Sequence, residues 1–202
     1  MKEKSAFAAL GICLVLLVLS SCSSSPELKD SVRAYEDAYN SHNLEEVVSQ
    51  FTNNPTFEIK GQFILKGKQA LRDLVAYDIA LDIHMSIGNM KTAGDTVYAH
   101  LTETNNWLQV AGIGEAHYLI EFVFRDGAIE REVGTPTPET ETAFQDVLRP
   151  LMAWAEREAP DRLEEMMPNG EFEYTAENAE RTLALLEDWR RSVDEEQDTA
   201  GE

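Results

Sequence analysis

Glu103 is the residue whose type and position come closest to those of a working acid or base. It lies in Thr96 to Gln109, a stretch rich in β-formers whose odd positions Val97, Ala99, Leu101 and Trp107 are more apolar than Tyr98, His100, Thr102, Thr104 and Asn106. Side chains alternate across a strand, so the odd positions face inward and carry Glu103 with them. A tight turn on Ala111-Gly112 sets Glu103 opposite Ile120. Burial beside Ile120 and Phe122 would then raise its pKa toward that of a general base near neutral pH. A register slip of one residue turns the same carboxylate out to water, and sequence alone favours that rim position.

Other chemistry is hard to find. His84, His100 and His117 lie on candidate strands without HxH or HExxH spacing, and the register above points His100 and His117 to the convex face, so no metal site is expected. No GxSxG, Walker loop or dinucleotide fingerprint occurs, and Gly112-Ile113-Gly114 reads as a turn. The acidic runs lack the DxDxDG spacing of a calcium loop and read as solvated faces. No cofactor is expected.

The N-terminus carries the most specific signal. Lys2 and Lys4 precede an apolar or small run of 14 residues, Ala6 to Leu19. That suits a secretory signal and is short of the roughly 20 residues of a bilayer-spanning helix. Leu19-Ser20-Ser21-Cys22 follows and resembles the bacterial lipobox, which implies that Cys22 is lipidated and becomes the mature N-terminus. Cys13 and Cys22 are the 2 cysteines of the chain. Removal of one and lipidation of the other leave no thiol for a disulfide, a nucleophile or a zinc site. The tether from Ser23 to Leu28 reaches at most about 20 Å. Serine after the cysteine resembles outer-membrane lipoproteins, so the expected location is the cell envelope, on the periplasmic side of the outer membrane.

Composition agrees with a globular domain beside such an anchor: 43% of residues are apolar and 27% charged. The 37 Asp and Glu outnumber 17 Lys and Arg, for a formal net charge of -20, which repels phosphate backbones and excludes nucleic acid as a partner.

The elements that must position Glu103 follow from periodicity. Leu28, Val32, Tyr35 and Tyr39, then Leu44, Val47, Val48 and Phe51, predict two amphipathic helices broken at Asn40 to Asn43. A short hairpin over Thr56–Ile59 and Gln62–Leu65 precedes a helix from Lys68 to Tyr77. Strands are expected at Leu81–Lys91, Thr96–Gln109, Glu115–Arg125 and Ala128–Val133. Beyond Gly134, Thr137-Pro138 starts a helix with the stripe Phe144, Val147, Leu148, Leu151 and Ala155. Another begins near Thr175, with Leu183, Leu186, Trp189 and Val193 on one face. The expected divisions are residues 1–21 as signal, 22–27 as lipidated tether, 28–134 as the core domain, 135–193 as a helical extension and 194–202 as a disordered acidic end.

This α+β order permits several folds. The run YEDAYNSHNLEEVVSQF from Tyr35 to Phe51, then Thr56-Phe57-Glu58, and Gly67-Lys68-Gln69-Ala70-Leu71 opening a helix resemble the nuclear transport factor 2-like superfamily and its SnoaL-like branch, which includes ketosteroid isomerases. The resemblance covers about residues 28–134. It implies a cone-shaped, curved antiparallel sheet wrapped around N-terminal helices, with the C-terminal helices as an addition. The cone would enclose an apolar cavity, for which Tyr35, Phe57, Ile59, Leu101, Trp107, Tyr118, Ile120 and Phe122 are the candidate lining. Tyr35 falls where the isomerases carry the phenol of their oxyanion hole, but Ile59 and Ile120 stand where they carry carboxylates. That departure points away from steroid isomerisation, and sequence favours Tyr35 as a core aromatic.

The resulting expectation is a membrane-anchored module that binds a small apolar or amphipathic molecule, more a binder than an enzyme. A cofactor-free isomerase or cyclase using Glu103 as base and Tyr35 as oxyanion donor stays open. So does an interaction module docking through the C-terminal helices. Domains of this superfamily often pair through the convex sheet face, which leaves a homodimer or a protein partner open as well.

Overall fold

A computed structural model of the chain describes residues 25–200. Helix α1, Ser25–Asn40, buries Leu28, Val32, Tyr35, Ala38 and Tyr39, the spacing of one helical face. Asn43 caps α2, Leu44–Ser49, by accepting from the Glu46 backbone N–H at 3.3 Å. Strands β1 (Phe51–Ile59) and β2 (Phe63–Lys66) form the expected hairpin, and α3 (Lys68–Ala80) outruns its expected end by three residues.

The remaining sheet comprises β3 (His84–Ala93), β4 (Thr96–Thr104), β5 (Ala116–Arg125) and β6 (Ala128–Pro136). All six strands form one sheet in the order β2-β1-β6-β5-β4-β3. It is mixed rather than wholly antiparallel, because β1 returns to pair with β6 in parallel. Odd positions Val97, Ala99 and Leu101 of β4 and even positions Ala116 to Phe124 of β5 are buried, as alternation predicts. The edge strand β3 is blunted by α1: the Asn40 side chain donates to the Met85 carbonyl at 2.9 Å and accepts from its N–H at 2.8 Å, while Glu36 accepts from the Ile87 N–H at 3.0 Å.

Two differences from the sequence reading bear on the site. The stretch taken as one strand to Gln109 breaks at Asn105, whose side chain accepts from the Leu108 N–H at 2.8 Å and caps a short helix, α4 (Asn106–Val110). Trp107 therefore sits on a helix. That insertion lengthens the β4–β5 connection, so Glu103 lies opposite Ala116, and Ile120 opposite Ala99. The tight turn on Ala111-Gly112 is not formed.

The C-terminal chain folds as α5 (Pro138–Glu158), α6 (Pro160–Met166), a single turn at Pro168–Gly170 and α7 (Ala176–Ala200). Thr137 caps α5 as expected, accepting from the Thr140 N–H at 3.3 Å. Helix α7 packs on α3 and α4 and buries Ala179, Leu185, Leu186 and Trp189; Arg190 also donates to the Ala111 carbonyl. Its helix runs on through the acidic end expected to be disordered, as far as Ala200. The extension covers the helical side of the core and leaves Tyr98 and Leu119 of the outer sheet face exposed.

Candidate functional site

A cavity of about 360 Å³ opens between the sheet, α3, α4 and the C-terminal extension. The core supplies Phe57, Ile59, Trp107 and Tyr118 to its wall, four of the eight residues expected there. Ile59 lies against Gly134, where any side chain would meet it. The extension adds Phe144, Leu148, Phe172, Tyr174 and Thr182, which nothing in the resemblance placed at a site. Phe172 and Tyr174 pack edge to face at 5.0 Å between ring centroids, and Tyr174 reaches Phe63 at 4.6 Å and Tyr77 at 5.4 Å. Trp107 stacks on Phe144 at 5.7 Å, and its indole N–H has no partner among the described residues.

The other four expected lining residues, Tyr35, Leu101, Ile120 and Phe122, are buried in the core and do not line the cavity. Tyr35 packs edge to face against Tyr39, Phe51 and Phe122, and its hydroxyl donates to Glu132 Oε1 at 3.0 Å. This corrects its placement as an oxyanion donor: the phenol is engaged by a carboxyl group beneath the cavity wall.

Glu103 does reach the cavity, and Asp78, from the last turn of α3, joins it there. Asn105 Nδ2 donates to Glu103 Oε1 at 2.7 Å, and the Tyr39 hydroxyl donates to Asp78 Oδ2 at 3.2 Å. Burial pushes the Glu103 pKa up to about 7, with the Asn105 hydrogen bond working the other way. Asp78 is raised well above the usual carboxylate range, first by burial and then by the charge of Glu103. Burial first, and with it the charge of Asp78, hold the phenols of Tyr77, Tyr118 and Tyr174 in the protonated form, and Glu103 adds to the effect at Tyr77 and Tyr118. Both carboxyls resist ionisation, the charge of Glu103 adds to that resistance at Asp78, and Glu103 changes protonation near neutral pH, which gives the site a group able to work as acid or base.

Glu132 was missed by sequence for an identifiable reason. Simple alternation from Ile129 sends Glu130 and Glu132 outward, but a register shift between Val123 and Phe124 pairs Phe124 with Ile129 and Phe122 with Glu132. That bulge turns Glu132 into the core, where it is 2% exposed and its Oε2 has no partner. Burial pushes its pKa up to about 8, against the opposing effect of the Tyr35 hydrogen bond.

His100 and His117 are exposed on the outer face, as expected. His84, the first residue of β3, meets Asp82 and His42 with ligand atoms within 4.8 Å of one another, and His42 joins them from the distant α1–α2 connection. This cluster lies outside the cavity wall, and His42 Nε2 is already 3.0 Å from the Ile83 carbonyl oxygen.

Residues 32–132 match the SnoaL-like domain family. No curated protein matches the chain. Among solved structures it is similar to SalBIII, an epoxide hydrolase/cyclase-like enzyme in pyran ring formation in polyether salinomycin, at 18% identity over 56% of this chain and 92% of that one, TM-score 0.50. An LEH-like epoxide hydrolase of M. tuberculosis is 17% identical over 65% of this chain and 96% of its own, TM-score 0.49. An NTF2-like protein of unknown function from Cytophaga hutchinsonii is 14% identical over 57% and 94%, TM-score 0.48.

Proposed function

Because the chain belongs to the SnoaL-like domain family, we propose that it binds a small amphipathic molecule in the cavity closed by its C-terminal extension. One observation carries this reading: aromatic and aliphatic walls surround a carboxyl pair, so an apolar body and a polar end both find partners. The neutral fluorophore N-phenyl-1-naphthylamine should bind, and Thr182→Trp, which fills the cavity from α7, should weaken binding about ten-fold or more, a loss of about 1.4 kcal/mol. Unchanged affinity in a folded Thr182→Trp protein would place the fluorophore elsewhere and count against the reading.

The carboxyl pair favours a second reading, cofactor-free acid-base chemistry of the isomerase or cyclase type. Glu103 would act as base and Asp78 as its partner, in place of Tyr35. Glu103→Gln should then abolish turnover while the bound molecule is retained. Docking through the C-terminal helices receives less support, because Leu186 and Trp189 of their apolar stripe are buried against the chain's own core.

We also propose that the domain is held at the periplasmic face of the outer membrane by lipid on Cys22, which lies outside the described residues. Multiple acyl chains would hold even a domain this acidic at the surface, where one alone binds marginally. Cys22→Ser should release the protein from the membrane fraction or leave its precursor uncleaved. Membrane recovery of the variant, processed as wild type, would defeat the anchor.

A further inference from the structure

We propose that the occupant of the cavity is an amphipathic organic cation, an ammonium group carried on an apolar body. The inference rests on the binding reading above and specifies its ligand. Among the described residues, Asp78 and Glu103 are the only ones with formal charge in the cavity wall, and no Lys, Arg or His stands beside them there. Neither takes part in an ion pair among the described residues. Each has one neutral donor, on Oδ2 of Asp78 and Oε1 of Glu103. Their other oxygens, Oδ1 and Oε2, take no hydrogen bond from the described residues and are not sealed away as buried orphans.

Charge and burial decide between ligand classes. An anion would meet two carboxylates in a low-dielectric wall on a protein of net charge -20. A purely apolar molecule would strip water from both groups and offer nothing in return. An ammonium group supplies the missing countercharge and up to three N–H donors, which matches two unfilled carboxylate oxygens. The walls suit the same ligand, since Phe63, Tyr77, Phe172 and Tyr174 form a continuous aromatic cluster and ring faces attract cations.

A matched trio tests this: 4-phenylbutylamine, 4-phenylbutanol and 4-phenylbutanoate, each competing with N-phenyl-1-naphthylamine on the full-length protein. At pH 8 the amine should compete about ten-fold better than the alcohol, or more, and the carboxylate should be weakest. Lowering the pH to 5, below the Glu103 value of about 7, protonates that carboxylate, and the raised Asp78 moves in the same direction, so the amine's advantage should shrink or vanish while the alcohol's affinity stays constant. The phenols of Tyr39, Tyr77, Tyr118 and Tyr174 stay neutral across that range, and Glu132, beneath the wall, gains protons as the pH falls. Glu103→Gln and Asp78→Asn, each checked for a native melt, should lose the amine preference, so that amine and alcohol compete alike. If the alcohol equals or exceeds the amine, or none of the three competes while the fluorophore still binds, the cation is wrong and the cavity reading stands. If the fluorophore itself does not bind, both fall.

Discussion

Replacing Glu132 with Gln will flatten the pH dependence of stability and raise the melting temperature above that of the wild type at pH 8. The folded protein keeps the Glu132 proton up to about pH 8, whereas the unfolded chain releases it near the ordinary value of 4.5. Between those values the native state binds more protons, so stability is highest below the window and falls as pH rises through it. Glu103, whose window ends at about 7, and Asp78, also raised, act in the same direction. For Glu132 the full window is worth on the order of 5 kcal/mol. In a chain of this size that is roughly 10 °C of melting temperature. Glutamine keeps an acceptor for the Tyr35 hydroxyl and removes the charge, but it leaves an amide N–H₂ in place of the orphan Oε2. The variant therefore has no advantage at pH 5 and a clear one at pH 8. Glu132→Ala, which leaves the phenol unpaired, should be less stable than glutamine at both. Thermal melts across pH 5 to 8 decide it, and parallel curves for wild type and Glu132→Gln would show that the buried carboxyl does not titrate as its setting requires.

Removing residues 138–202 should abolish cooperative folding. The extension buries Val147, Leu151, Ala155, Met166, Leu185, Leu186 and Trp189, and it covers Phe63 and Tyr77 with Phe172 and Tyr174. Each large apolar side chain so buried contributes roughly 1.5–3 kcal/mol, and those six large ones together are comparable to the roughly 5–15 kcal/mol that typically holds a domain folded. The cut belongs after Thr137. A cut at Gly134 would also remove Thr135 and Pro136, which pair with Leu119 and Tyr118. The readouts are sedimentation and a thermal melt of the truncated chain. A soluble monomer with a sharp transition would mean that the extension is a separable appendage. As a milder probe, Leu186→Ala should cost about 2–5 kcal/mol with the fold retained.

Much of this architecture was legible in order along the chain, because helix spacing, strand alternation and capping are local rules. The stripe from Leu28 to Tyr39, the cap at Thr137 and the inward parity of Glu103 needed no knowledge of a neighbour. Sequence favoured the rim for Glu103 because a one-residue slip would turn it to water, but the pairing moved by an even number of residues, from Ile120 to Ala116, and kept the carboxylate on the inner face. What encloses the site was decided only in three dimensions. Asp78 and Glu103 come from different elements, α3 and β4, and share one cavity wall, while Phe172 and Tyr174 arrive from a segment outside the family match. Glu132 shows the principle most plainly. Its neighbours in sequence send it to solvent, and a one-residue shift in pairing with β5 sends it to the core instead. Periodicity specifies which residues share a face, but pairing between distant strands sets where that face points, and a bulge resets it partway along.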